Sequence, residues 1–299
     1  MKESTKGAFA IFFTYVFWGM MPFYWRALIA VSSAEVVAHR IIWACLLSFL
    51  LIAASHKVSS VVSLFGSNRR ALVPLVFSSV ALTINWGAYV WAVNNDRMLE
   101  VSLGYFINPL VSILFGVVFF KERLNKIQWL AIGIAAAGVC FEVVTLGHLP
   151  FVSLSLAFSF GTYGLLKKFS TVESLVGFTV ETMFLTPFAL IWLVWLQRSG
   201  VAHFPYDAWT TLLLVGTGVI TSAPFIIFAW GVKRSALTTV GLIQYASPIL
   251  VLLIGVFVYH EPVSSMRLLS FILIWTAIII FTAESFWRTK NPAFKQTAK

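Results

Sequence analysis

The stretch Leu103–Leu124, LGYFINPLVSILFGVVFFKERL, decides the fold, because it returns at Leu242–Val263 as LIQYASPILVLLIGVFVYHEPV. Asn108-Pro109, Gly116 and Glu122 of the first copy correspond to Ser247-Pro248, Gly255 and Glu261 of the second, at a constant offset of 139 residues. An offset close to half of a 299-residue chain points to two fused copies of one unit. Both copies are too apolar to be anything but membrane segments. Fused membrane units of this kind are the architecture of secondary transporters, which hold solute between the copies near the bilayer midplane.

Composition agrees. Hydrophobic residues make up 60% of the chain and charged residues 11%, less than half the charge of an ordinary soluble domain. No single soluble core could hide that much apolar surface. A bilayer accepts it, since a helix of roughly 20 apolar residues spans the hydrocarbon with its backbone hydrogen bonds made internally.

Ten spans can be drawn at 8–30, 35–55, 71–94, 98–120, 127–146, 149–168, 174–197, 208–232, 236–259 and 266–287. With the N-terminus inside, sixteen of the Lys and Arg residues fall in cytoplasmic segments. Only Arg26, Arg40, Arg97, Arg198 and Arg267 fall towards the other side. This is the positive-inside pattern, and it places both termini in the cytoplasm of a multi-pass protein. The net charge of +10 therefore reflects topology, and no nucleic-acid partner is expected. The apolar run after Lys2 and Lys6 is too long for a cleaved leader and reads as the first span. Cys45 and Cys140 fall in apolar spans, without metal-ligand spacing or a disulfide geometry.

Gly147-His148-Leu149-Pro150 forms the natural midpoint. The expected units are 8–147 and 149–287, followed by a basic cytoplasmic tail at 288–299. Five spans per unit is an odd number, so the second copy enters the membrane from the opposite face and the repeats are inverted. Pro109 and Pro248 each remove an intrahelical hydrogen bond at equivalent places. Their duplication marks them as candidate hinges, and Gly116 and Gly255 as points of close helix contact.

Several further segments carry a family resemblance. Asn85-Trp86, Trp91–Asn95, Ser102–Leu110, Glu122-Arg123-Leu124, Ala38–Trp43, Ala157–Gly161 and Gln244-Tyr245 resemble the RarD permeases. These belong to the EamA branch of the drug/metabolite transporter superfamily. The resemblance runs over nearly the whole chain. It implies an all-α, ten-helix carrier of the bacterial inner membrane, built as two inverted five-helix repeats. The RarD name is tied to chloramphenicol sensitivity or resistance, and wider EamA relatives export amino acids and other metabolites. The resemblance fixes the fold more firmly than the substrate.

Ionisable groups inside spans cost about 2.5–3.5 kcal/mol on insertion scales and are functional candidates. Arg40 lies about five residues into the second span and Glu181 about seven into the seventh, from opposite faces, so roughly 12 Å of depth separates them. They are expected to act separately. His39 is a second candidate for proton coupling beside Glu181. Glu122 and Glu261 read as span-end residues pairing with nearby bases. The substrate-binding candidates are Trp18, Tyr24, Arg40, Trp43, Asn85, Trp86, Tyr89, Tyr105, Asn108, Tyr163, Glu181, Gln244 and Tyr245. Aromatic faces hold flat organic molecules while amides and phenols orient them.

No nucleotide-binding loop, nucleophile elbow or paired-histidine metal motif occurs in the sequence. The expected function is thus non-enzymatic and needs no cofactor: gradient-driven movement of a small organic solute, outward, with protons as a coupling ion. The alternative is a uniporter, exchanger or channel-like permease for which drug handling is incidental.

Overall fold

A computed structural model describes residues 2–66, 69–95, 97–205, 207–260 and 265–290. Glu261 and residues 291–299 of the expected tail lie outside the described residues. The chain forms helices α1 (Glu3–Gly19), α2 (Met21–Ala27), α3 (Ser33–Ala54), α4 (Val58–Phe65), α5 (Leu72–Asn94), α6 (Met98–Phe120) and α7 (Lys126–Leu146). The second half continues with α8 (Phe151–Phe169), α9 (Ser174–Arg198), α10 (Ala208–Arg234), α11 (Leu237–Gln244), α12 (Ala246–Phe257) and α13 (Ser265–Lys290). No strand occurs among the described residues.

Local chemistry sets the boundaries. Ser32 caps α3 by accepting from the Glu35 amide, Asn125 and Gln128 close a reciprocal capping box on α7, and Asp207 accepts from the amides of Trp209 and Thr210 to start α10. Each satisfies donors that the first turn leaves orphaned. At the midpoint, Gly147 ends α7 with φ of 75°, a left-handed conformation that glycine adopts without Cβ strain.

Eight segments are long and apolar enough to cross a membrane, and α13 contributes a shorter apolar stretch, Leu268–Glu284. The sixth expected span is α8, of 19 residues, which is not among the eight. Its serines, Tyr163 and paired lysines lower its hydropathy. It tolerates them because α5, α6 and α10 pack around it and shield it from lipid.

Packing follows an internal twofold pattern. α8 lies against α5 and α6 of its opposite half, just as α1 lies against α10 and the α11–α12 pair. α3 faces α9, α6 faces α11 and α7 faces α13. Exchanging each span with its counterpart in the other half maps these contacts onto one another. Without a hydrophobic drive between helices in lipid, small residues bring them close. A Cβ added at Gly218 would meet the Trp43 backbone at 2.7 Å, and one at Gly231 the Gly7 carbonyl at 2.9 Å.

The two duplicated prolines behave differently. α6 runs through Pro109 without interruption, held by close contacts at Gly104 with Ser153 and at Gly116 with Leu237. The equivalent span breaks at Tyr245, three residues before Pro248, into α11 and α12. The first span breaks as well, at Met20, just ahead of Pro22, a discontinuity the repeat motif does not announce.

Candidate functional site

The chain termini of the spans define two ends of the bundle. The basic end carries Glu3, Lys57, Glu122, Lys168, Lys233 and Arg234, and at this end the two halves are latched together. Glu122, just past α6, accepts hydrogen bonds from the amides of Leu237 (2.8 Å) and Thr238 (2.9 Å), the first residues of α11. A carboxylate there satisfies orphan donors and meets the positive end of the helix dipole. Lys168 lies 3.9 Å from Glu122 and donates to the Ser235 carbonyl, while Lys233 donates to the Val172 carbonyl. Arg234 reaches Glu3 at 3.1 Å, and Lys57 pairs with Glu173. The expectation that Glu122 pairs with a base is thus half of the geometry. Its shorter bonds are to the backbone of the opposite repeat.

Above this latch lies a buried ion pair. Glu181 on α9 sits 2.5 Å from Lys167 on α8, with side chains 0% and 2% exposed. Ser78 on α5 donates to the same carboxylate, and the Tyr163 hydroxyl lies 3.5 Å from its second oxygen. Sequence reasoning assigned Lys167 to the basic rim of the membrane and missed this role. The signal was available: Lys167 follows Tyr163 by four residues, so both share one helix face.

Arg40, on α3, occupies the other half of the bundle depth and makes no contact with Glu181. Its Nε donates to Thr221 Oγ1 of α10 at 3.1 Å. Its guanidinium lies over Trp25 of α2 (5.0 Å) and Trp86 of α5 (5.1 Å), held between two indole faces. Tyr89 of α5 and Tyr105 of α6 lie near enough to interact with its charge. Among the described residues no carboxylate pairs with it. Tyr105 is 49% exposed, and Arg40 and Tyr89 are partly so. Arg40 therefore sits in an aromatic setting at the end of the bundle opposite the latch, without the carboxylate partner that Lys167 has.

The other expected site residues are dispersed through the bundle. Trp18, Trp86 and Tyr163 belong to an aromatic core with Tyr15, Phe225 and Phe228; Trp18 meets Phe225 at 5.3 Å and Tyr163 stacks on Phe228. This core runs from Trp86, which touches Arg40, to Tyr163, which touches Glu181. Asn85, Gln244 and Tyr245 are tied into helix contacts. Asn85 donates to the Leu156 carbonyl and Ser159, Gln244 exchanges hydrogen bonds with Ser112, and Tyr245 reaches the Phe106 carbonyl at 3.4 Å. Asn108 is buried, and its side-chain oxygen has no partner. Tyr24 donates to the Leu213 carbonyl.

His39 accepts a hydrogen bond from Trp43 Nε1 at Nδ1 (3.1 Å), so its neutral ring carries the proton on Nε2, which has no partner. Phe204 covers the ring. Taking a second proton would require breaking the bond to Trp43. Nearby, Glu35 accepts from the His203 amide at 2.7 Å and pairs with its ring, a contact that sequence reasoning did not identify. Among the described residues, no three His, Cys, Asp or Glu side chains gather as a metal-binding group.

Comparison with known proteins agrees with this architecture. The model of the EamA-like transporter family matches the chain twice, at residues 5–144 and 150–283. The uncharacterized transporter YojE of Bacillus subtilis is 42% identical over 287 residues, covering 94% of each chain. Protein RarD of Escherichia coli is 36% identical over 97% of this chain and 98% of its own. The chloramphenicol-sensitive protein RarD of Pseudomonas aeruginosa is 30% identical over 94% of each. One crystal structure of another protein superposes with a TM-score of 0.71 at 18% identity, over 93% of this chain and 97% of that one, a likeness of fold.

Proposed function

The chain belongs to the EamA-like transporter family, and from that premise we propose that it is a secondary active carrier exporting a small organic solute by alternating access. The observation carrying this reading is the asymmetry of the two ends. The basic end is closed by Glu122 on the α11 N-terminus and by the buried Lys167–Glu181 pair, while at the other end Arg40 has no carboxylate partner among the described residues and Tyr105 is half-exposed. A carrier caught in one of its two states has this form.

On this reading the basic end faces the cytoplasm, with both termini there, in agreement with the positive-inside rule. The units divide at Gly147 into 8–147 and 149–287. The breaks at Met20 and Tyr245 lie in two spans that pack against each other, α1–α2 and α11–α12, and Pro109 and Pro248 shape the helices that move. Glu181 is the coupling group. Protonation of its carboxylate would remove the counter-charge of Lys167 and loosen the inner closure, linking a proton gradient to the cycle. His39 is the weaker coupling candidate, because its Nδ1 is already engaged.

Proteoliposomes test this directly. With amino acids and amphenicols offered under an imposed pH gradient, a carrier gives saturable flux that is accelerated by solute on the far side. Flux that neither saturates nor shows that acceleration would identify a channel-like permease instead.

A further inference from the structure

We infer that Arg40 is the anchor for the carboxylate of a flat organic acid, so that the solute carried is a monoanion. The inference rests on the carrier reading and adds the chemistry of the ligand.

A cation held within a membrane span is costly and ordinarily finds an anion. Glu181 has such a partner in Lys167; Arg40 has none among the described residues. Thr221 fixes its Nε and the indoles of Trp25 and Trp86 hold the guanidinium plane from two helices. The two terminal nitrogens remain, a planar fork that matches both oxygens of one carboxylate. The arrangement is positioned and charged but unfilled. Tyr89 and Tyr105 lie close enough to feel its charge, and their rings offer aromatic surface to a flat body attached to the carboxylate.

The same inventory excludes neighbouring ligand classes. A phosphate dianion calls for a second cation, and none among the described residues is placed beside Arg40. An amino-acid zwitterion calls for an anion to meet its ammonium, and among the described residues the groups beside Arg40 include two indoles, two phenols and one hydroxyl but no carboxylate. A neutral solute would leave the guanidinium unpaired.

Purified full-length protein in nanodiscs should be titrated calorimetrically with benzoate, phenylacetate and indole-3-acetate, and with the corresponding neutral amides. At least one acid is expected to bind roughly tenfold or more tightly than its amide. Arg40→Gln should remove that preference, and Arg40→Lys, which keeps charge but loses the fork, should retain part of it. If Arg40→Gln fails to fold, Thr221→Val tests the same point. It leaves the charge but frees Nε, and should weaken acids several-fold while leaving amides unchanged. Amides binding as well as acids, acids keeping their preference in Arg40→Gln, or no binding by any of the three acids would each overturn the inference. Counterflow of the same probes in proteoliposomes separates the two claims. An acid bound through Arg40 but never exchanged contradicts the carrier reading and leaves the anchor standing. An amide exchanged as readily as its acid contradicts the anchor alone.

Discussion

Replacing Glu181 by Gln keeps the size of the side chain and its bond from Ser78, but leaves the Lys167 ammonium without a counter-charge. Both side chains are essentially inaccessible, at 0% and 2% exposure, so water cannot compensate. Breaking one partner of such a pair costs about 3–5 kcal/mol, whereas replacing both partners by apolar groups is often neutral or stabilising. Glu181→Gln and Lys167→Met should therefore each lower the melting temperature of the detergent-solubilised protein, by on the order of 10 °C. The double variant should recover most of that loss, a coupling energy of roughly 5 kcal/mol or more in a double-mutant cycle. The double variant also separates structure from transport. It should fold well and yet lose the pH dependence of flux, because no carboxylate remains to titrate. A Glu181→Gln protein that melts with the wild type, or a double variant as unstable as the two losses added together, would refute the buried pair. A stable double variant with an intact pH response would remove Glu181 as the coupling group.

Three further outcomes are expected. Glu122→Ala removes two backbone acceptors and a favourable charge at the α11 N-terminus, costs about 1–2 kcal/mol, and should show in hydrogen exchange as faster opening of Leu237 and Thr238. Pro248→Ala restores an amide donor beside the break at Tyr245 and should slow turnover more than Pro109→Ala does in the already continuous α6, measured as initial rates in proteoliposomes; equal, unchanged rates would make both prolines packing features. Single cysteines at 121–126 and 260–265, in a background lacking Cys45 and Cys140, should label from opposite faces of intact cells, and labelling from one face would contradict the inverted arrangement.

The sequence made the repeat legible because Pro, Gly and Glu recur at one fixed offset, and it made the spans legible because lipid demands continuous apolar stretches. It failed where protein replaces lipid. α8 falls below the hydropathy of its neighbours, since α5, α6 and α10 surround it. Lys167 sits beside Lys168 in the chain, and linear reading gives both to the membrane surface. Helical geometry sends one to Glu181 and the other towards Glu122 and Ser235. The break at Met20 escaped notice because Pro22 has no counterpart in the repeat motif. Arg40 stood out as an intramembrane charge. The indole faces of Trp25 and Trp86 that hold it come from two other helices, and no spacing along the chain reports such a juxtaposition.

Two engineered cysteines give the most direct test of alternating access. Tyr105→Cys reports the Arg40 end of the bundle, and Gly164→Cys reports the latched end, where a Cβ meets only the ring of Phe228 at 3.6 Å. Each is made in the cysteine-free background and labelled with a membrane-impermeant maleimide from its own side, with and without Glu122→Ala. Alternating access predicts that Tyr105→Cys labels readily and Gly164→Cys slowly when the latch is intact, and that Glu122→Ala raises labelling at 164 while lowering it at 105. Labelling at 164 that rises with no fall at 105 would contradict the carrier account, because a pore can open at both ends and a carrier cannot.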